Sequence, residues 1–150
     1  MKRVAIFGLA LTGSAAARAL VARGIEVVLS DDVVIDQHHH LARELGCTIV
    51  PVGTQSDIAA FLDGVDVLIP APGVAPHHRV IVEALLRNVS VRTEIDIAYE
   101  WEQERIGGPR PILGVTGTDG KTTTTMITAA LLRGGGRSVG EVGNTDLPFM

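Results

Sequence analysis

The sequence is poor in aromatic side chains, in cysteine and in positive charge, and each shortage removes a class of protein. Phe, Trp and Tyr make up 3% of its 150 residues, so aliphatic side chains must fill the core and no array of rings is available to stack nucleic-acid bases. A formal net charge of −4 and the lack of any Lys/Arg run leave no basic face to displace counterions from a phosphate backbone, which argues against nucleic-acid binding. The single cysteine, Cys47, cannot close an internal disulfide, and Met1-Lys2-Arg3 leads straight into a strand-like run rather than an apolar signal core. Both features point to a cytoplasmic setting. No apolar stretch approaches the ~20 residues that span a bilayer. What remains, 46% hydrophobic with 20% charged residues, is the composition of a globular domain with a sizeable core.

Hydrophobic periodicity alternates between short apolar runs and helical patterns. Residues 4–7 read as a strand ending at Gly8, and the pattern Ala16, Ala19, Leu20 that opens at Gly13 and closes at Gly24 reads as a helix. A second strand over 26–30 ends at the acidic pair Asp31 and Asp32, completing a β-α-β unit whose strands should be parallel. The alternation continues with a helix over 37–45, a strand over 48–50, a short helix over 56–62 and a strand over 65–69. Then come a helix over 77–87, a strand over 89–91 and an acidic surface helix over 94–105. This is the pattern of an α/β, Rossmann-like, doubly wound parallel sheet. Pro70-Ala71-Pro72-Gly73-Val74-Ala75-Pro76 excludes regular structure and should be a loop at the carboxyl end of its strand, where open α/β sheets bind ligands.

Gly107-Gly108-Pro109-Arg110-Pro111 has the composition of a hinge, and places a boundary between a domain over 1–108 and a second over 109–150. The second begins with a predicted strand over 112–115, a glycine-rich turn, a helix over 122–133 and a strand over 138–142. Its turn, Thr116-Gly117-Thr118-Asp119-Gly120-Lys121-Thr122-Thr123, carries the chemistry of a triphosphate cradle. Glycines admit backbone N–H groups close to phosphate oxygens, the Lys121 ammonium neutralises charge, and the Thr122 hydroxyl can join a Mg²⁺ shell. A general P-loop would have glycine where this chain has Val115. No later aspartate on an apolar strand is available to hold magnesium, so this second domain is expected to be the incomplete start of a P-loop ATPase domain, and the chain an N-terminal fragment.

The first turn, Gly8-Leu9-Ala10-Leu11-Thr12-Gly13, is a G-x-A-x-x-G variant of the dinucleotide fingerprint. Ala10 stands where a second glycine would admit a pyrophosphate, while Asp31 stands where an acidic residue meets a ribose hydroxyl. An NAD(P)-binding oxidoreductase module therefore stays open as an alternative, as does a non-catalytic nucleotide-sensing module. Lys121-Thr122 separates the first alternative from an ATP-using enzyme, because dehydrogenases do not need it.

Four segments taken together, residues 7–14, Ala71-Pro72-Gly73-Val74, residues 116–123 and Gly143-Asn144, resemble the Mur ligases in order and spacing over essentially the whole chain. The similarity is greatest to the branch that adds D-glutamate to UDP-N-acetylmuramoyl-L-alanine. That resemblance implies a first domain that binds the UDP part of the substrate and a central domain that binds ATP with Mg²⁺. It implies a cytoplasmic ligase of peptidoglycan precursor synthesis, monomeric when full length, working through an acyl phosphate from which the amine of D-glutamate displaces phosphate. Carried over by position, Leu11, Thr12, Asp31, Pro72, Gly73 and Asn144 would contact the UDP substrate. Gly117, Thr118, Asp119, Gly120, Lys121, Thr122 and Thr123 would hold ATP, with Lys121 and Thr122 the catalytic pair and Thr122 the metal ligand. The chain departs from the family pattern at Ala71, often Ser, at Asp119, often Asn, and at Thr145-Asp146, where Ile-Gly is usual.

Other suggestive residues read more simply. His38-His39-His40 on a helix point in different directions and suit a solvated helix start better than one metal ion. His77 and His78 read as a helix-start pair, Cys47 as a small buried hydrophobe, and the acidic residues over 94–104 as a solvated helix face.

Overall fold

The computed structural model describes residues 1–143, 148 and 149. The chain forms two compact units, Met1–Ala98 and Tyr99–Phe149.

The first unit runs β1 (Arg3–Phe7), α1 (Leu11–Val21), β2 (Glu26–Ser30), α2 (Asp36–Leu45), β3 (Thr48–Ile49), α3 (Gln55–Phe61), β4 (Val67–Pro70), α4 (Arg79–Leu86) and β5 (Ser90–Val91). It continues into α5 (Glu94–Gln103), within which the second unit begins. The strands form one sheet in the order β3-β2-β1-β4-β5, parallel throughout. This is the expected Rossmann-like α/β fold. The chain winds outward from β1 to β3 and then returns to the other side of β1, so the order reverses between β1 and β4. The crevice beyond the carboxyl ends of these two strands is the fold's natural ligand position.

Strand alternation divides the core between the two faces of the sheet. Ala5 and Phe7 of β1, Val28 of β2 and Leu68 of β4 pack with Ile58 and Phe61 of α3 and Val80, Ile81 and Ala84 of α4 in one buried cluster. The Phe7 and Phe61 rings lie 6.4 Å apart and tilted by 59°. The alternate residues Val4, Ile6, Val27 and Leu29 are also fully or nearly fully buried, as are Ala16, Ala17 and Leu20 of α1. Strands buried on both faces read as unbroken apolar runs, which is why β1, β2 and β4 stand out in the sequence. At the opposite end of the sheet Asp66 accepts hydrogen bonds from the Lys2 and Arg3 amides, 2.6 and 3.1 Å, tying the start of β1 to the start of β4.

Most element ends fall within two residues of the sequence expectation, and two points differ for a physical reason. Helix α4 begins at Arg79 rather than at residue 77, because His78 is extended (φ −61°, ψ 137°) and caps the helix with its own ring. In the second unit the helix forms as α6 (Lys121–Gly134), but the strands predicted over 112–115 and 138–142 do not. A strand exists through hydrogen bonds to a neighbour, and among the described residues neither segment joins the sheet. Ile112 and Leu113 are apolar yet 49% and 68% exposed.

Candidate nucleotide sites

The crevice of the first unit is built from the two loops that the sequence singled out. Phe7 and Pro70 are register partners at the ends of β1 and β4, and the Ala71 amide donates to the Phe7 carbonyl at 2.8 Å, carrying the pairing one residue into the Pro-Gly loop. Gly8 turns with φ +92°, and a Cβ on it would stand 2.7 Å from the Ala71 Cβ. The loops are thus in contact through their backbones. A Cβ on Gly13 would stand 1.9 Å from the Gly8 carbonyl oxygen, so only glycine lets the first turn of α1 sit this close to the end of β1. That close approach brings Leu11 and Thr12, the first two residues of α1, to the same end of the sheet, with Leu11 exposed and Thr12 half-buried. Pro72 and Gly73 are exposed in the facing loop.

Asp31, at the end of β2, is oriented by the turn it faces. Its Oδ2 accepts the Leu9 amide at 2.7 Å and its Oδ1 the Val33 amide at 3.3 Å. Each carboxylate oxygen has a second lone pair, so Asp31 can hold the turn and still accept a ribose hydroxyl. The same bond places a carboxylate where a dinucleotide site presents a free amide to pyrophosphate, and together with Ala10 this disfavours an anion at the first turn.

A third contact crosses the mouth of the crevice. His78 Nε2 lies 3.2 Å from Asp32 Oδ1, its Nδ1 accepts the Val80 amide at 3.3 Å, and its ring lies 4.7 Å from that of Phe7, inclined by 30°. The helix-start reading of His78 is correct but incomplete. His78 and Asp32 are distant in sequence, and only the strand order that sets β2 and β4 on either side of β1 brings them together. His77 is exposed; His38 is turned inward while His39 and His40 face solvent. Cys47 is half-buried, and burial raises its thiol above the ordinary value, away from nucleophilic use.

In the second unit the glycine-rich turn is already shaped around its lysine. Gly117 and Gly120 have φ of +150° and +74°, values that favour glycine, and Gly120 is the N-cap of α6. Lys121 Nζ folds back to donate to the carbonyls of Gly117 (2.6 Å) and Thr118 (2.9 Å). The helical ladder begins with the Thr124 amide on the Gly120 carbonyl at 2.8 Å, so the amides of Lys121, Thr122 and Thr123 stand ahead of it. An exposed ammonium, amides at a helix N-terminus and the positive end of the helix dipole together suit a polyphosphate. Thr118, Asp119, Thr122 and Thr123 are exposed around this turn. Asn144 lies outside the described residues. Thr122 offers a metal one hydroxyl oxygen, and no group of three or more His, Cys, Asp or Glu suited to a metal occurs among the described residues, so Mg²⁺ here would depend largely on nucleotide oxygens and water.

No family model matches the chain, but sequence relatives do. Proteins named UDP-N-acetylmuramoylalanine-D-glutamate ligase from Syntrophus aciditrophicus (strain SB) and Thermobifida fusca (strain YX) are 34% and 36% identical to it, each over 99% of this chain. The chain is a homologue of the Mur ligases. It covers 32% and 31% of those two proteins, so it spans about a third of the length of the curated relatives it matches. The solved UDP-N-acetylmuramate-alanine ligase of Thermotoga maritima aligns with a TM-score of 0.58 and 27% identity, over 89% of this chain and 29% of that protein. The Mur-ligase resemblance carried by the four motifs therefore extends along the whole chain. None of its described helices is long and apolar enough to cross a membrane.

Proposed function

We propose that residues 1–108 are the UDP-substrate domain and residues 109–150 the opening of the ATP-binding domain of an ATP-dependent ligase that joins D-glutamate to UDP-N-acetylmuramoyl-L-alanine in peptidoglycan precursor synthesis. The observation that carries this reading is the lysine-bearing turn at the head of α6, with Lys121 Nζ held 2.6 and 2.9 Å from two loop carbonyls. A dehydrogenase has no use for such a turn. The names of the sequence relatives support the choice of amino acid and acceptor.

In this reading the chain's own groups bind and orient. The crevice between β1 and β4 receives the uridine, with Leu11, Thr12, Pro72 and Gly73 at its walls and Asp31 accepting from the ribose. The amides ahead of the α6 ladder and the residues from Gly117 to Thr123 cradle the triphosphate. Lys121 moves from the loop carbonyls to the terminal phosphates, where its positive charge favours transfer of the γ-phosphoryl group to the substrate carboxylate, which forms the acyl phosphate as ADP leaves. Mg²⁺, held in part by the Thr122 hydroxyl, supplies further charge neutralisation when bound. Asn144 is assigned to the substrate diphosphate by its position in the motif. The reading also takes the ligase to be a cytoplasmic monomer.

Replacing Lys121 with Ala is expected to remove ATP-dependent ligation in the complete ligase, lowering turnover by a factor on the order of 10² to 10³. Phosphate release that requires both the UDP substrate and D-glutamate measures it. Near-normal turnover would sink the assignment of the turn. Titration of the UDP substrate and of NADH separates the ligase from an oxidoreductase: binding of NADH alone would replace the ligase reading.

A further inference from the structure

We infer that His78 is a positioning residue for the nucleoside end of the substrate, clasping the Asp31-Asp32 segment across the crevice to the start of α4. The inference rests on the uridine-diphosphate reading of that crevice. Three contacts fix the imidazole. The Val80 amide donates to Nδ1 at 3.3 Å, which in the neutral ring places the proton on Nε2, and Nε2 faces Asp32 Oδ1 at 3.2 Å. The ring is inclined by 30° to that of Phe7, at 4.7 Å. One side chain thereby joins the end of β1, the loop after β2 and the first turn of α4, the elements that border the switch-point crevice.

The two ends of the clasp differ in exposure. The His78 side chain is 20% exposed and that of Asp32 is 59% exposed. A solvated carboxylate on a loop would ordinarily sample many rotamers; held by an imidazole that is itself anchored on two sides, it fixes the loop. Asp31 is the adjacent residue, and its Oδ2 already grips the Leu9 amide at 2.7 Å. The segment carrying the ribose-binding carboxylate is therefore tied at Asp31 to the α1 side of the crevice and at Asp32 to the α4 side. Such preorganisation raises affinity by removing the ordering cost from the binding step. The ligand class it serves is a nucleoside diphosphate entering between the two loops.

The two ring nitrogens can be tested separately. His78→Asn keeps an acceptor near the Nδ1 position and is a strong N-cap, but it lacks the reach to Asp32. His78→Gln keeps a donor near the Nε2 position. Calorimetric titration of UDP into the full-length protein is expected to give about fivefold weaker binding for His78→Asn and for Asp32→Ala, near-normal binding for His78→Gln, and no further loss in the His78→Asn/Asp32→Ala double variant. Turnover at saturating substrate should stay unchanged in His78→Asn while KM for the UDP substrate rises by the same factor. Losses that add in the double variant, or unchanged UDP binding in His78→Asn, would overturn the clasp and leave the uridine reading standing. Failure of the unmodified protein to bind UDP would overturn both.

Discussion

At the scale of single residues, the crevice depends on a position that offers no chemistry of its own. A methyl group on Gly13 would meet the Gly8 carbonyl oxygen at 1.9 Å, so Gly13→Ala must push the head of α1 away from β1. Overpacking of this kind costs about 1–3 kcal/mol or more. An unfolding free energy lowered by that amount in denaturant titration, with UDP binding weakened because Leu11 and Thr12 move with the helix, is the expected result. The glycine spacing in the first turn was legible in the sequence; the close approach of Gly13 to the Gly8 carbonyl was not. The use of Asp31 was only half legible. Its distance from Gly8 suggested a ribose contact, but the bond from its carboxylate to the Leu9 amide depends on how tightly the turn doubles back, which sequence spacing does not encode. The pairing of Asp32 with His78 carried no local signal, because it arises from strand order.

At the scale of elements, the first unit was readable because its strands are buried on both faces. Continuous apolar runs bounded by glycine or acidic residues located β1, β2 and β4, while β3 and β5, two residues each, were found mainly by their place in the alternation. The same rule over-predicted the second unit, where residues 112–115 have a strand's composition but, among the described residues, no neighbouring strand. Helix α3 shows how much one well-packed element contributes. Phe61 is fully buried against Phe7 and the α4 residues, and Phe61→Ala should cost about 3–5 kcal/mol. Thermal unfolding followed by far-UV circular dichroism would read that loss. Because Phe7 also lies under His78, the same variant should weaken UDP binding without touching any ligand group.

At the scale of the whole molecule, the hinge composition read at residues 107–111 coincides with an ionic staple. Glu102 accepts the Arg110 amide at 2.7 Å and its guanidinium at 2.5 to 3.1 Å, closing the turn that holds Gly107 and Gly108, both at positive φ. The Arg110 bonds hold the Glu102 carboxyl down at about 2, against an ordinary value of 4.5. A carboxyl depressed in the folded state stabilises above its unfolded value and loses that contribution as pH falls through its folded one. The melting temperature of the unit containing Glu102 should therefore drop between about pH 4.5 and pH 2. Glu102→Gln should flatten the slope in that window and leave the rest of the profile unchanged; an unaltered slope would show that the staple does not contribute to folding.

The central position of β1 also governs when the sheet can form. β1 bonds to β2 on one side and to β4 on the other, yet β4 follows β1 by three helices and two strands along the chain. During synthesis at ~5–20 residues per second, one edge of β1 is matched early and the other stays open for several seconds until residues 67–70 emerge. The nascent chain therefore passes through a half-built sheet with an apolar flank bare, and its yield in a cell should depend on translation speed across α2 and α3 more than on the stability of the finished fold.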